Sequence, residues 1–231
     1  MSWMDRITLF SPLDFAALGF VLFLWMVIGW RIENAPASNP SVSQIMAGYR
    51  REWMRQMVTR EPRIFDAQTV ATLRQGTSFL ASTSVIAIGG SLALIGNADQ
   101  LAGLAQDLTL ETRPEVVWEI KIIVLVLFLT NAFLKFLWSN RLFGYCSVLM
   151  AAVPNDPKDP NAAAMAQRAA EINITAARSF NRGLRALYFA LAIVAWIAGP
   201  IALIAAGTVT VITIWRREFA SHSRRILLDN E

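Results

Sequence analysis

The chain has 231 residues, 55% hydrophobic and 16% charged, with a mean hydropathy of +0.43 and a formal net charge of +4. That leaves too little polar surface for a soluble domain of this length, and with no basic soluble domain no nucleic-acid partner is expected. One cysteine, Cys146, and one histidine, His222, exclude an internal disulfide and, within one chain, a bis-histidine haem, an iron–sulfur site or a structural zinc site, so no cofactor or metal is expected.

The apolar residues fall into four blocks. Each matches the roughly twenty residues a helix needs to cross a ~30 Å hydrocarbon core. A backbone in lipid must satisfy its own hydrogen bonds, so each block predicts a helix. The expectation is an all-α, polytopic membrane protein. It is one domain over 1–231, with four long transmembrane helices at about 13–30, 77–96, 116–138 and 186–215 and amphipathic cytoplasmic helices at about 40–60 and 160–182. No internal repeat is visible, so an inverted-repeat transporter has no support.

In chain order, the first span is "LDFAALGFVLFLWMVIGW", with Asp14 near its outer end. Asp14 is read as interfacial rather than as a proton or ion site. Residues 31–75 carry seven arginines. Asn39-Pro40 is a cap-then-proline helix start, and Val42, Ile45, Met46, Tyr49, Trp53 and Met57 recur at helical spacing. Glu61-Pro62 interrupts this helix, and a second stretch from about Phe65 runs into the next span. That span holds Ser78, Ser82, Gly89 and Gly90, small residues that allow close helix packing. An acidic loop follows at 97–115. The third span is expected to run on helically to Ala152, because Pro154 is the first clear breaker. Asp159-Pro160 repeats the cap-then-proline start and opens an Ala-rich helix. Asn173-Ile174-Thr175 fits the glycosylation pattern by chance, since it falls on a cytoplasmic loop.

Lys and Arg number one before the first span, seven in loop 31–75, one in the second loop, six in loop 139–185 and four after residue 215. The positive-inside rule then puts the N-terminus outside and loops 31–75 and 139–185 in the cytoplasm, here of a bacterial inner membrane. The last apolar block contains Gly199-Pro200. Each half, about 13 to 16 residues, is shorter than a span requires. A single crossing with a hinge at Gly199 and Pro200 is therefore favoured over a re-entrant hairpin, and the tail is expected outside.

Candidate functional residues are few. Lys121 and Lys135 are fourteen residues apart, near one helical face, with Asn131 and Ser139 flanking Lys135; the pattern suits an anion-attracting stripe, and snorkelling is the competing reading. Arg182 and Arg185 sit at the inner mouth of the fourth span. They would anchor lipid headgroups, attract an anion, or pair between subunits with an acid such as Asp66. No P-loop, H-E-x-x-H, G-x-S-x-G or G-x-G-x-x-G motif occurs, no nucleophile–base pair is plausible and no catalytic residue is assigned, so the protein is expected not to be an enzyme.

The segments "FNRGLRALYFALAIVAWIAGP" and "IWRREFAS", with "YRREWMRQM", "FLASTSVIAIGG" and "LKFLWSNR" in the same order, resemble the DUF599 family over about Ser41 to Ser223. The resemblance implies an integral membrane protein, found mostly in bacteria with plant relatives. It implies no activity and transfers no functional residue. The functional expectation is a homo-oligomeric channel or passive pore for a small anion. The alternative is a non-catalytic accessory subunit of a larger membrane complex. Anionic lipid headgroups are expected partners in either case.

Overall fold

The computed structural model describes residues 8–97 and 114–228. Most of the expected acidic loop lies outside them. The described elements are helical: α1 (Pro12–Glu33), α2 (Val42–Met57), α3 (Ile64–Ile95), α4 (Glu115–Ala152), α5 (Ala162–Val194), a 3₁₀ turn (Ala195–Ala198), α6 (Pro200–Phe219) and α7 (His222–Leu228).

Local chemistry sets the boundaries. Ser11 and Asp14 form a reciprocal cap at the start of α1: the Asp14 N–H donates to Ser11 Oγ (3.2 Å), and Asp14 Oδ2 accepts from the Ser11 N–H (3.1 Å) and hydroxyl (2.7 Å). Pro12, at the first helical position, has no N–H to satisfy. Helix α2 starts two residues later than Asn39-Pro40 predicts. Ser41 and Gln44 form the capping box instead, and a box that satisfies two orphan donors outweighs a proline start. Helix α4 ends at Ala152 as expected, and the Arg63 guanidinium takes the carbonyls of Val153 and Pro154, each at 2.7 Å.

Five helices, not four, are long and apolar enough to cross a membrane: Pro12–Glu33, Ile64–Ile95, Glu115–Ala152, Ala162–Ala198 and Pro200–Leu228. The expected span at 186–215 is two helices. The separately expected helix at 160–182 is the first part of α5. Gly199 has φ +108°, a conformation disfavoured for residues with a Cβ. The chain reverses there rather than kinking. Residues on both flanks of the break meet on one serine: Asn181 donates to Ser43 Oγ (3.2 Å), while the Ser43 N–H and hydroxyl donate to Glu218, each at 3.0 Å. Arg224 donates to the Pro40 carbonyl and Asn39 Oδ1. The single-crossing expectation failed because it counted only the apolar residues before Gly199. The Ala-rich segment belongs to the same helix, so α5, with 33 residues, is about 50 Å long, and the 20 residues of α6 reach about 30 Å alone.

The structure comprises two compact units. The first holds residues 1–31, 83–132 and 184–216, and the second 32–82, 133–183 and 217–231. In the first, Ala17, Val21, Trp118, Phe128, Phe189 and Leu203 are buried, and Trp25 packs on Phe128 at 5.1 Å between ring centroids. In the second, Met54, Met57, Phe143, Cys146 and Met150 pack against an alanine face of α5. Large apolar side chains also stand outward, among them Phe15, Phe23, Trp30, Ile86, Leu127 and Ile201. A surface this apolar suits lipid rather than water.

Candidate functional site

The first unit concentrates its polar groups at the helix break. Lys121 on α4 is 4% exposed, and its ammonium donates to the Trp196 carbonyl at 2.9 Å. That carbonyl also accepts the Gly199 N–H at 3.0 Å. The lysine thus caps the carbonyl end of α5, where the helix dipole favours a cation. It lies 4.5 Å from the Trp118 ring centroid and 5.5 Å from that of Trp196, so two aromatic faces stabilise the buried charge. The Trp196 indole N–H donates to Asp14 Oδ1 at 2.8 Å. Asp14, in the first turn of α1, is fully buried. The Trp118 indole N–H is buried without a hydrogen-bond partner among the described residues.

The second unit carries paired arginines. Arg182 grips Glu33 with two N–H groups. Arg51 holds Glu171 at 2.7 Å through Nε, with Nη2 on its second oxygen. Arg55 holds Glu52 at 2.7 and 2.5 Å. Hydrogen bonds from Arg55 and Gln56 keep the Glu52 carboxyl at about 2, and Glu171 raises Arg51. Burial lowers Arg50, whose guanidinium donates to the buried Asn173. Asp66 is fully buried; its Oδ1 accepts from Arg60 and Trp53, while its Oδ2 has no partner among the described residues.

This geometry redistributes the predicted residues. Lys121 and Asn131 belong to the first unit and Lys135 to the second. The Lys121 ammonium is engaged at the break. Lys135 is partly buried, and its backbone carbonyl accepts from Ser179 at 2.9 Å, one turn from a Ser139 bond to the Ala176 carbonyl at 2.8 Å. The polar turn around Lys135 therefore clamps α4 to α5. Arg182 is paired within the chain. Arg185 is buried beside Gly29, where an added Cβ would lie 3.8 Å from its Nε. The inter-subunit pairing offered for Asp66 gives way to its Arg60 pair.

On α3, Ser78 accepts from Asn140 at 2.6 Å. Ser82, Gly89 and Gly90 are exposed, and a Cβ built on either glycine meets nothing within 4 Å. Among the described residues nothing packs closely on these glycines, and the close approaches are elsewhere. A Cβ on Gly183 would lie 2.7 Å from the Phe136 ring, and one on Gly207 2.7 Å from Val21. Sequence reasoning missed both, since a single glycine in a helical run names no partner. It also missed the cap written in "SPLD" at Ser11–Asp14, although the Ser-x-x-acid spacing was there to be read.

An all-helical chain with five helices long and apolar enough to cross a membrane suggests an integral membrane protein. The chain belongs to the DUF599 family, described as a protein of unknown function, whose profile matches residues 16–223. No curated protein and no solved structure matches it.

Proposed function

We propose that this protein is a non-enzymatic, five-span component of a bacterial inner membrane, with its N-terminus outside and its basic face in the cytoplasm. It acts as a homo-oligomer that passes a small anion between copies. The positive-inside rule supports the orientation. Loops 31–75 and 139–185 and the tail hold seventeen of the 21 Lys and Arg, and the contacts of Asn39, Pro40 and Ser43 gather these segments into one unit. A reporter fused after Glu231 that fluoresces only in the cytoplasm is expected to be bright. A dark fusion, made at wild-type levels, overturns the orientation.

The observation that carries the oligomeric reading is the exposed line on α3: Arg74, then Ser78, Ser82, Gly89 and Gly90 at helical spacing. Small residues on an outward face favour docking of another helix in lipid. A path through one copy has little room, because Val21 wedges against Gly207 and Trp25 stacks on Phe128. Native mass spectrometry of protein gently extracted from its own membranes is expected to give a discrete homo-oligomer, dissociated by Gly89→Leu with Gly90→Leu. In liposomes, Arg74→Gln is expected to lower chloride flux. A stable monomer overturns the assembly, and unchanged flux removes Arg74 from the pathway.

The engagement of Lys121 and Arg182 within the chain favours a second reading, a non-catalytic accessory subunit docking a foreign helix on the same α3 face. A fixed stoichiometry with another protein in the same spectrum selects it.

A further inference from the structure

A cleft of about 510 Å³ lies between α2 and the first turns of α5, within the second unit. Its walls include Arg51, Glu52, Arg55, Thr59, Ala163 and Gln167. The volume is that of a site for a small ligand. On α2, Arg51 and Arg55 are one turn apart and share a face, and Thr59 lies in the turn just past the helix end. The opposing wall from α5 is Ala163, Ala166 and Gln167, and the two short alanines leave space beside the glutamine.

The two arginines are oriented rather than used up. Arg51 contacts Glu171 through Nε and Nη2, and Arg55 contacts Glu52 through the same two atoms. A guanidinium has five N–H donors in a fixed fork. Side-on pairing through Nε and Nη2 leaves the Nη1 group and one Nη2 hydrogen on each residue. The carboxylates therefore fix the planes of two guanidiniums whose end-on edges remain for a further acceptor. Both pairs are solvent-exposed, so neither is strong enough to resist a competing anion. The field around the cleft is positive, because the second unit carries fifteen Lys and Arg against ten Asp and Glu. Lys158 follows Pro157, which also lines the cleft.

We propose that this cleft binds a phosphate monoester, presented by a soluble metabolite or by a lipid headgroup. A monoester carries close to two negative charges and three terminal oxygens, enough to receive the free edges of both arginines at once. A diester carries one charge and two such oxygens. This site is independent of the proposed anion pathway and of the oligomeric state.

The test uses the full chain in detergent. Titrations with glycerol 3-phosphate and with short-chain phosphatidic acid, each followed by native mass spectrometry, are compared with short-chain phosphatidylglycerol, a diester. Binding of glycerol 3-phosphate identifies a soluble ligand, and binding of phosphatidic acid alone identifies a headgroup; either sustains the monoester site. Arg51→Gln with Arg55→Gln is expected to weaken that binding roughly tenfold or more, since it removes charge-assisted hydrogen bonds. Ala163→Phe, at an exposed position, fills the cleft without touching a charge and is expected to abolish binding. Should the double variant fail to fold, Ala163→Phe decides. Failure of both monoesters to bind, equal binding of the diester, or binding unchanged by Ala163→Phe overturns the proposal.

Discussion

The two units distribute their charge differently, although the second also buries Asp66 against Arg60 and Trp53. In the first, charged groups are few, and Lys121 and Asp14 are each buried against a specific partner: a carbonyl, an indole N–H, an aromatic face. In the second, arginines are many, and Arg51, Arg55 and Arg182 are paired side by side with carboxylates where water reaches them. One set of helices contributes to both units, so the difference arises from side chains and not from secondary structure. Charge taken out of water needs a dedicated partner, and charge left in water does not.

This contrast can be broken most sharply at the helix break. Lys121→Met removes a charged donor from a buried carbonyl and is expected to cost about 2–3 kcal/mol, read as a lowered melting temperature in detergent. A loss under about 0.5 kcal/mol would mean that the break holds without its lysine. Size gives the next largest effect, now in the second unit. Gly183→Ala pushes a Cβ onto the Phe136 ring, three of whose atoms lie within 3.1 Å of it. Overpacking of about 1–3 kcal/mol exceeds the roughly 1 kcal/mol gained in helix propensity, so a net loss of about 1–2 kcal/mol is expected. Gly207→Ala meets one methyl of Val21 below 3.4 Å, and the two terms nearly cancel. Equal melting temperatures for these variants would contradict the difference in packing.

Smaller effects belong to the arginine pairs. Arg182→Gln removes the grip on Glu33 where the arginine side chain is 45% exposed. About 0.5–1 kcal/mol is expected, and less at high salt. The smallest effect is a pH dependence. Glu52 is held at about 2, below its ordinary 4.5, by Arg55 and Gln56. A depressed carboxyl contributes stability that is full above about 4.5 and is lost as pH falls toward about 2. Glu52→Gln is expected to lower the melting temperature slightly at neutral pH and to converge on wild type as pH falls through that window, which flattens the profile. A variant that differs from wild type more at pH 3 than at pH 7 would reverse the sign.

The helices were largely legible in the sequence because lipid imposes its requirement on runs of residues. The start near Phe65 and the end at Ala152 follow from hydropathy, proline and capping. The reversal at Gly199 was not legible, because Gly-Pro in an apolar run reads equally as a kink. What decided it was Ser43, 138 residues before Asn181 and 175 before Glu218, accepting from the first and donating to the second. Candidate charges were found by type, but their roles were not. Lys121 and Lys135 share a helical face on paper, yet Trp196 claims one and the α4–α5 clamp surrounds the other. Pairings between distant segments, such as Arg182 with Glu33, leave no local signature.

The positive φ of Gly199 bears on how the chain enters a membrane. During synthesis, "ALYFALAIVAWIAGPIALIAAGTVTVITIW" emerges as one continuous greasy stretch, which insertion machinery can thread as a single stop. Only a residue that turns at no steric cost, followed by one that starts a new helix without an amide hydrogen, converts that stretch into a pair delivered together. On the proposed topology, these two adjacent residues keep the arginines that follow on the side where they were made.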